Sequence, residues 1–315
     1  MKFKKSMLFS LVVLVICTAL FIGYELYQIE HETRNYQVSV ILPYDGAGEW
    51  KNLQQGMKQA AEDYNLLIRY IIMAENSTPI EQTEILRREI ENGVDGVLLG
   101  AIDADFLSNA VEKAKKEVEI VIVESGVKEV DVPIVSGCNY DMGELLGKKV
   151  LEDGNVKIAV ICPEAERTYT EERMEGFAKN ISESTKIVCL EYKNEEKAVD
   201  NILKKIFCST EYDCVVCVDT VTLEKCSDYF SEFHPKAKLY GIGTSSKVAA
   251  KVDKGVIEAI VCQNEFSIGY KAVAKLAGLL QKKEYGIENV TKYGLVTSEN
   301  LYDTEYQELL FPISK

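Results

Sequence analysis

From Tyr36 onward the chain alternates between short β-branched runs and amphipathic stretches, and this rhythm constrains the fold more than any other feature. The runs are "YQVSVILP", "LLIRYIIM", "GVDGVLLG", "VEIVIVES", "VKIAVIC", "TKIVCLEY", "DCVVCV", "KLYGI" and "VIEAIVC". Between them lie helical stretches such as "WKNLQQGMKQAAEDY", "TPIEQTEILRREIENG", "DADFLSNAVEKAKK" and "TEERMEGFAKNI". Strands separated by helices at this spacing predict parallel sheets with helices on both faces. Continuous apolar runs such as "GVLLG" fit strands covered on both sides. Nine strand–helix units exceed what one open sheet comfortably holds, so two sheets, and two lobes, are expected.

The lobe boundary is expected near "PIVSGCNYD", after four strands. After Gln263 comes "FSIGYKAVAKLAGLLQKK", apolar along one face and followed by no strand of its own. Such a helix needs a sheet to cover, and the first lobe is the simplest place for it. The expected division is therefore 1–33 as anchor and linker, 34–138 plus 264–292 as an N-terminal lobe, and 139–263 plus 293–315 as a C-terminal lobe. Ligands of such sheets bind beyond the carboxyl ends of the strands. Two facing lobes make a cleft there.

The first 24 residues stand apart. "KFKK" precedes an uncharged apolar run from Met7 to Tyr24, about 18 residues or ~27 Å as a helix, close to one hydrocarbon core. Basic residues on the N-terminal side keep that end cytoplasmic and send the remainder outward. A cleavable signal peptide would want a shorter run and a small-residue cleavage site. Lipidation at Cys17 would want a small residue where Ile16 stands. The run is read as an uncleaved anchor, which puts the protein in the cell membrane with a single N-terminal span and the bulk of the chain extracytoplasmic.

A net charge of −14, with no basic cluster beyond the first five residues, argues against nucleic acid. The nine cysteines show no framework spacing and fall mostly inside strand-like runs, so most are read as free and buried. Gly241 and Gly243 suggest a phosphate loop, but Ser246 stands where the third glycine of a dinucleotide fingerprint belongs. A tight strand-to-helix turn is the better reading. With two histidines, no nucleophile–His–acid set and no metal cluster, a binding protein is favoured over an enzyme. No cofactor is expected.

About Tyr36 to Asp303 resembles the type I periplasmic sugar-binding proteins, relatives of the ribose- and galactose-binding proteins and of the lac-repressor core. The carrying stretches are "ILPYDGAGEWKNLQQGMKQAAED", "EQTEILRREIENGVDGVLLGAID", "EIVIVES", "GCNYDMGELLG", "ERTYTEERMEGF", "YGIGTSSKVAAKVDKGVIEAIVCQNEFSIGYKAV" and "LVTSENL". The resemblance implies an α/β fold of two doubly wound parallel-sheet lobes with a hinge, here preceded by a transmembrane helix. It implies ligand roles for Trp50, stacking on a sugar ring; Glu124, accepting from hydroxyls; Arg173, donating to sugar oxygens; Asp219, a second-lobe carboxylate; and Gln263, the amide at a hinge-side strand end. All but Gln263 have a plainer alternative: packing at a helix start for Trp50, a surface pair with Glu172 or Glu175 for Arg173, a turn cap for Glu124 and a helix N-cap for Asp219.

The chain also departs from that family. "GAGE" precedes Trp50, with Glu49 in place of an aromatic residue; Ser125 replaces an arginine, Val218 an asparagine and Gly243 an aspartate. Each lost charged hydrogen bond is worth about 1.5–3 kcal/mol. Ordinary ribose binding would then need replacements from Tyr44, Asp45, Glu49, Tyr169 or Asp103. The expected partners are a small polyhydroxylated ligand and a membrane sensor kinase or an ABC permease. The alternative is a degenerate binding fold acting as a protein-interaction module.

Overall fold

The computed structural model describes residues 14–23, 35–44, 50–74, 77–163, 167–181, 185–192, 198–209, 212–286 and 291–312. The chain divides into two compact units, Met1–Tyr36 and Gln37–Lys315. In the first, residues 14–23 form a helix (α1) whose Leu14, Val15, Ile16, Leu20, Phe21 and Ile22 are exposed. The expected span from Met7 to Tyr24 runs beyond this stretch at both ends. Among the described residues no helix is long and apolar enough to cross a membrane.

The second unit holds two sheets, each built from the runs read above. The first has the order β2 (Leu66–Ile72), β1 (Tyr36–Leu42), β3 (Gly96–Leu99), β4 (Glu119–Val123), β5 (Ile134–Val135). The pairs β1–β3, β3–β4 and β4–β5 are parallel. The second has the order β11 (Tyr293–Val296), β10 (Ala259–Gln263), β9 (Lys238–Ile242), β8 (Cys214–Cys217), β6 (Lys157–Pro163), β7 (Lys186–Tyr192). All its pairs are parallel except the antiparallel β10–β11. These are two α/β lobes.

Fully buried strands explain the unbroken apolar runs. Val97, Leu98 and Leu99 of β3 and Val215, Val216 and Cys217 of β8 have no exposure. In β8, Val215 and Cys217 join one core cluster and Cys214 and Val216 another, so alternate side chains feed opposite faces of the sheet. Cys162, Cys214, Cys217, Cys226 and Cys262 are buried and free, while Cys189 on β7 is exposed. The described strands exceed the nine expected by β5, of two residues, and β11, a mostly half-buried run without the continuous apolar burial of β3 or β8.

Two helix pairs brace the fold by close backbone approach. Helix α2 (Lys51–Tyr64) crosses α10 (Glu265–Gln281) at Gly56 and Gly269. A Cβ at Gly56 would lie 1.9 Å from the carbonyl oxygen of Phe266, and one at Gly269 would lie 2.0 Å from that of Leu53. Helix α5 (Asn139–Glu152) crosses α6 (Thr168–Ala178) in the same manner. There a Cβ at Gly143 would lie 2.0 Å from the carbonyl oxygen of Arg173, and one at Gly176 would lie 1.9 Å from that of Tyr140. Only glycine permits such spacing. Helix α10 also packs on β3, β4 and β5 of the first sheet, although it follows a strand of the second.

Candidate functional site

The carboxyl ends of β4 and β10, one from each sheet, meet at a hydrogen bond. Glu124 follows the last residue of β4 and has φ 62°, a left-handed conformation that a side chain other than glycine adopts at a cost. Its amide donates to Val135 O at 3.0 Å, so pairing to β5 holds the turn. Its buried carboxylate accepts from Gln263 Nε2 at 3.1 Å. Burial pushes the Glu124 carboxyl up to about 7; Arg173 and the Gln263 bond pull it down, and Glu172 adds slightly to the rise. The amide of Gln263 lies over Gly137, where a Cβ would come within 1.7 Å of Oε1. That Oε1 is buried and has no hydrogen-bond partner among the described residues.

Arg173 comes from α6. It is 5% exposed and does not sit on a solvated helix face. Its Nε donates to Asn139 Oδ1 at 2.9 Å and its Nη1 to Val218 O at 2.9 Å. The ring of Tyr169, one turn earlier, stacks against the guanidinium, with Cζ 4.6 Å from the ring centroid. Trp50 precedes α2 and is buried, its Nε1 donating to Pro43 O at 2.9 Å. A polar tip fixed in this way leaves the ring to act as an apolar wall.

These five residues, Trp50, Glu124, Tyr169, Arg173 and Gln263, line one pocket that opens to solvent. Met142, Thr220, Ile242, Gly243, Thr244 and Glu265 complete the lining. Aromatic walls with a few convergent polar groups are the common form of a small-molecule site.

The other candidates stand elsewhere. Asp219 caps α8 (Thr220–Phe233), accepting from Thr222 N at 2.9 Å and from the Thr222 hydroxyl, and does not line the cavity. The cap reading describes its contacts. Asp103 accepts from Asp105 N at 2.9 Å and Phe106 N at 2.8 Å, closing the turn before α4 (Ser108–Ala114). Tyr44, partly exposed, does not reach the lining. Asp45 and Glu49 lie outside the described residues.

Sequence reasoning missed Glu265 and Thr244. Glu265 opens α10 two residues after Gln263, is buried, and accepts from the Thr244 hydroxyl. An acidic residue at a helix start ordinarily complements the helix dipole, which hid its place in the lining. Position 243 is tight for any side chain. A Cβ there would lie 3.3 Å from Thr220 Cα and Oγ1, so Thr220 would have to give by a few tenths of an ångström.

Among the described residues no group of His, Cys, Asp and Glu could hold a metal ion. A family model described as periplasmic binding protein domain matches residues 38–284. One curated relative, the HTH-type transcriptional repressor PurR of Mannheimia succiniciproducens, is 29% identical over 91 residues, which span 29% of this chain and 27% of that protein. The chain thus matches about a quarter of the length of that relative. Three solved structures share the fold. GanP, a glucose-galactose binding protein from Geobacillus stearothermophilus, is 20% identical with a TM-score of 0.76, covering 85% of this chain and 99% of its own. A carbohydrate transporter solute binding protein from Agrobacterium radiobacter, in complex with D-arabinose, is 17% identical with a TM-score of 0.80, covering 89% and 100%. A chain of the XylFII–LytSN complex is 14% identical with a TM-score of 0.75, covering 84% and 98%.

Proposed function

The chain belongs to the periplasmic binding protein family, and from that premise we propose that it binds a small sugar or sugar-like polyol between its two lobes. The observation that carries this reading is the convergence of Trp50, Glu124, Tyr169, Arg173 and Gln263, drawn from both lobes, on one cavity. Trp50 and Tyr169 offer apolar faces to the C–H side of a ring. Glu124 accepts, Arg173 donates, and Gln263 can do either, which suits a row of hydroxyls.

The lobes are proposed as 34–138 plus 264–292 and 139–263 plus 293–315. The hydrogen bond between Glu124 and Gln263 then joins them on the closed side of the cleft. The N-terminal apolar run is proposed as a membrane anchor that keeps the protein outside the cytoplasm. Its partner is a membrane sensor kinase or an ABC permease. The solved complex of XylFII with LytSN supports the idea that a protein of this fold can work by docking to another protein. A retained anchor would keep the protein beside a sensor. A second reading, a decayed site kept for protein interaction, draws on Asp219 and Arg173 already being engaged by the protein's own groups.

Calorimetric titration of the full chain with pentoses and hexoses separates the two. The expected result is saturable binding of at least one sugar, weakened about ten- to a hundredfold by Arg173→Ala. A melting curve of the variant checks that loss of the Asn139 and Val218 contacts has not unfolded it. Heats indistinguishable from buffer across the panel would favour the interaction module.

A further inference from the structure

Resting on the reading of a ligand cleft between two lobes, we propose that the cleft is held shut at rest by a latch of the protein's own. The latch clasps the loop after β4 to the head of α6, and a solute enters only when it releases. Trp50, Glu124, Tyr169, Arg173 and Gln263 are all buried where they line the pocket. The space between the walls is about 10 Å³, room for about one water. No sugar ring fits there until the walls part.

Two contacts between the proposed lobes form the latch. The amide of Gly126 donates to Thr168 Oγ1 at 2.7 Å. Lys128 Nζ lies 3.7 Å from Glu171 Oε1, and both side chains reach solvent, so this pair marks the outer margin of the cleft. Thr168 and Glu171 stand three apart at the start of α6 and share one face of it. The exposed ion pair is weak, and the half-buried hydrogen bond carries more of the closure. Inside the pocket, the Thr244 hydroxyl donates to Glu265 across the same divide.

The loop is a firm part of the first lobe. Lys128 N donates to Ala104 O at 3.0 Å, Ser108 Oγ donates to Lys128 O at 2.7 Å, and Lys128 Nζ pairs with Asp105 at 3.0 Å. The latch therefore joins two ordered bodies. It stabilises the closed form equally with the pocket empty or filled. While the closed form dominates, it slows entry and exit together and leaves affinity little changed.

The test places Gly126→Cys and Thr168→Cys together in the full chain. A Cβ at Gly126 would lie 3.4 Å from Thr168 Oγ1 and 3.6 Å from Thr168 Cγ2, an ordinary contact within reach of a disulfide. The chain is freed of copurified solute by dialysis from urea and oxidised with glutathione disulfide. Peptide mass mapping separates the new bond from any made by the native cysteines. The expected result is a bond formed to completion without sugar, at a rate within about twofold of that with D-ribose, D-glucose or D-galactose. A bond forming about tenfold faster with any of these sugars, in a chain whose melting curve shows it folded, would overturn the latch. The oxidised chain should take up no sugar that the reduced chain binds, and a thiol reductant should restore uptake. Uptake by the oxidised chain would overturn the claim that entry needs release. Followed by Trp50 emission in stopped flow, Thr168→Val should raise association and dissociation rates together, by about two- to tenfold. Unchanged rates would overturn the role of Thr168. If no form binds sugar, the ligand-site reading fails, while the crosslinking rate still decides the latch.

Discussion

Glu124 combines a left-handed backbone, burial and a titration point raised into the neutral range, and this makes the stability of the fold depend on pH. In the unfolded chain the carboxyl ionises near 4.5, and in the folded protein near 7. The folded state thus binds this proton more tightly. The group costs nothing in stability below the unfolded value, and the cost grows from there to its full size above pH 7, on the order of 3 kcal/mol. Urea unfolding at pH 5 and pH 8 should show that loss, and Glu124→Gln should flatten it. A wild-type chain as stable at pH 8 as at pH 5, once other groups are matched by the variant, would refute the assignment. Asp219 makes the opposite kind of prediction. As the cap of α8, its replacement by alanine should cost about 0.5–2 kcal/mol of stability and leave sugar affinity within a few-fold of wild type. The pattern Asp219–Thr220 fits both a cap and a ligand residue equally well in the sequence. Only the position of Thr222 N, 2.9 Å from the carboxylate, separates the two.

At the level of elements, the strands were legible because period and β-branching are local properties of a run. The short β5 and β11 were not, since pairing with β4 and β10 and not an intrinsic pattern makes them strands. The glycine crossings were equally hidden. Nothing local distinguishes Gly56 or Gly176 from a helix-weakening glycine until the partner helix is known. These crossings carry a sharp prediction. Gly56→Ala places a methyl group into the carbonyl of Phe266 and should cost about 1–3 kcal/mol or more by overpacking. It should also weaken ligand binding, because Trp50 at the head of α2 and Glu265 at the head of α10 both line the cavity. Gly93→Ala is the contrast. Its surroundings are open, its φ is +80°, and about 1–2 kcal/mol of backbone strain is the whole effect, with affinity unchanged. Thermal melts and titrations of the two variants would separate a packing contact from a turn conformation. Equal affinity losses in both would contradict the link between the crossing and the cavity.

At the scale of the whole molecule, the two-lobe architecture followed from counting units, and the cleft from where strands of such sheets end. The lining was only half legible. Trp50, Glu124, Tyr169, Arg173 and Gln263 were named in advance, while Glu265 and Thr244 emerged from tertiary placement. Trp50 is the one tryptophan of the chain, and it is already 4% exposed without a ligand. A ligand must therefore change its emission by contact with the ring, not by burying it. The most direct measurement is a fluorescence titration of the full chain with pentoses and hexoses, run beside calorimetry on the same samples. The account predicts a saturable change in Trp50 emission whose midpoint matches the calorimetric affinity and moves to higher concentration in Arg173→Ala. Saturable heat with silent Trp50 emission and an unchanged midpoint in Arg173→Ala would place the ligand elsewhere and contradict the account.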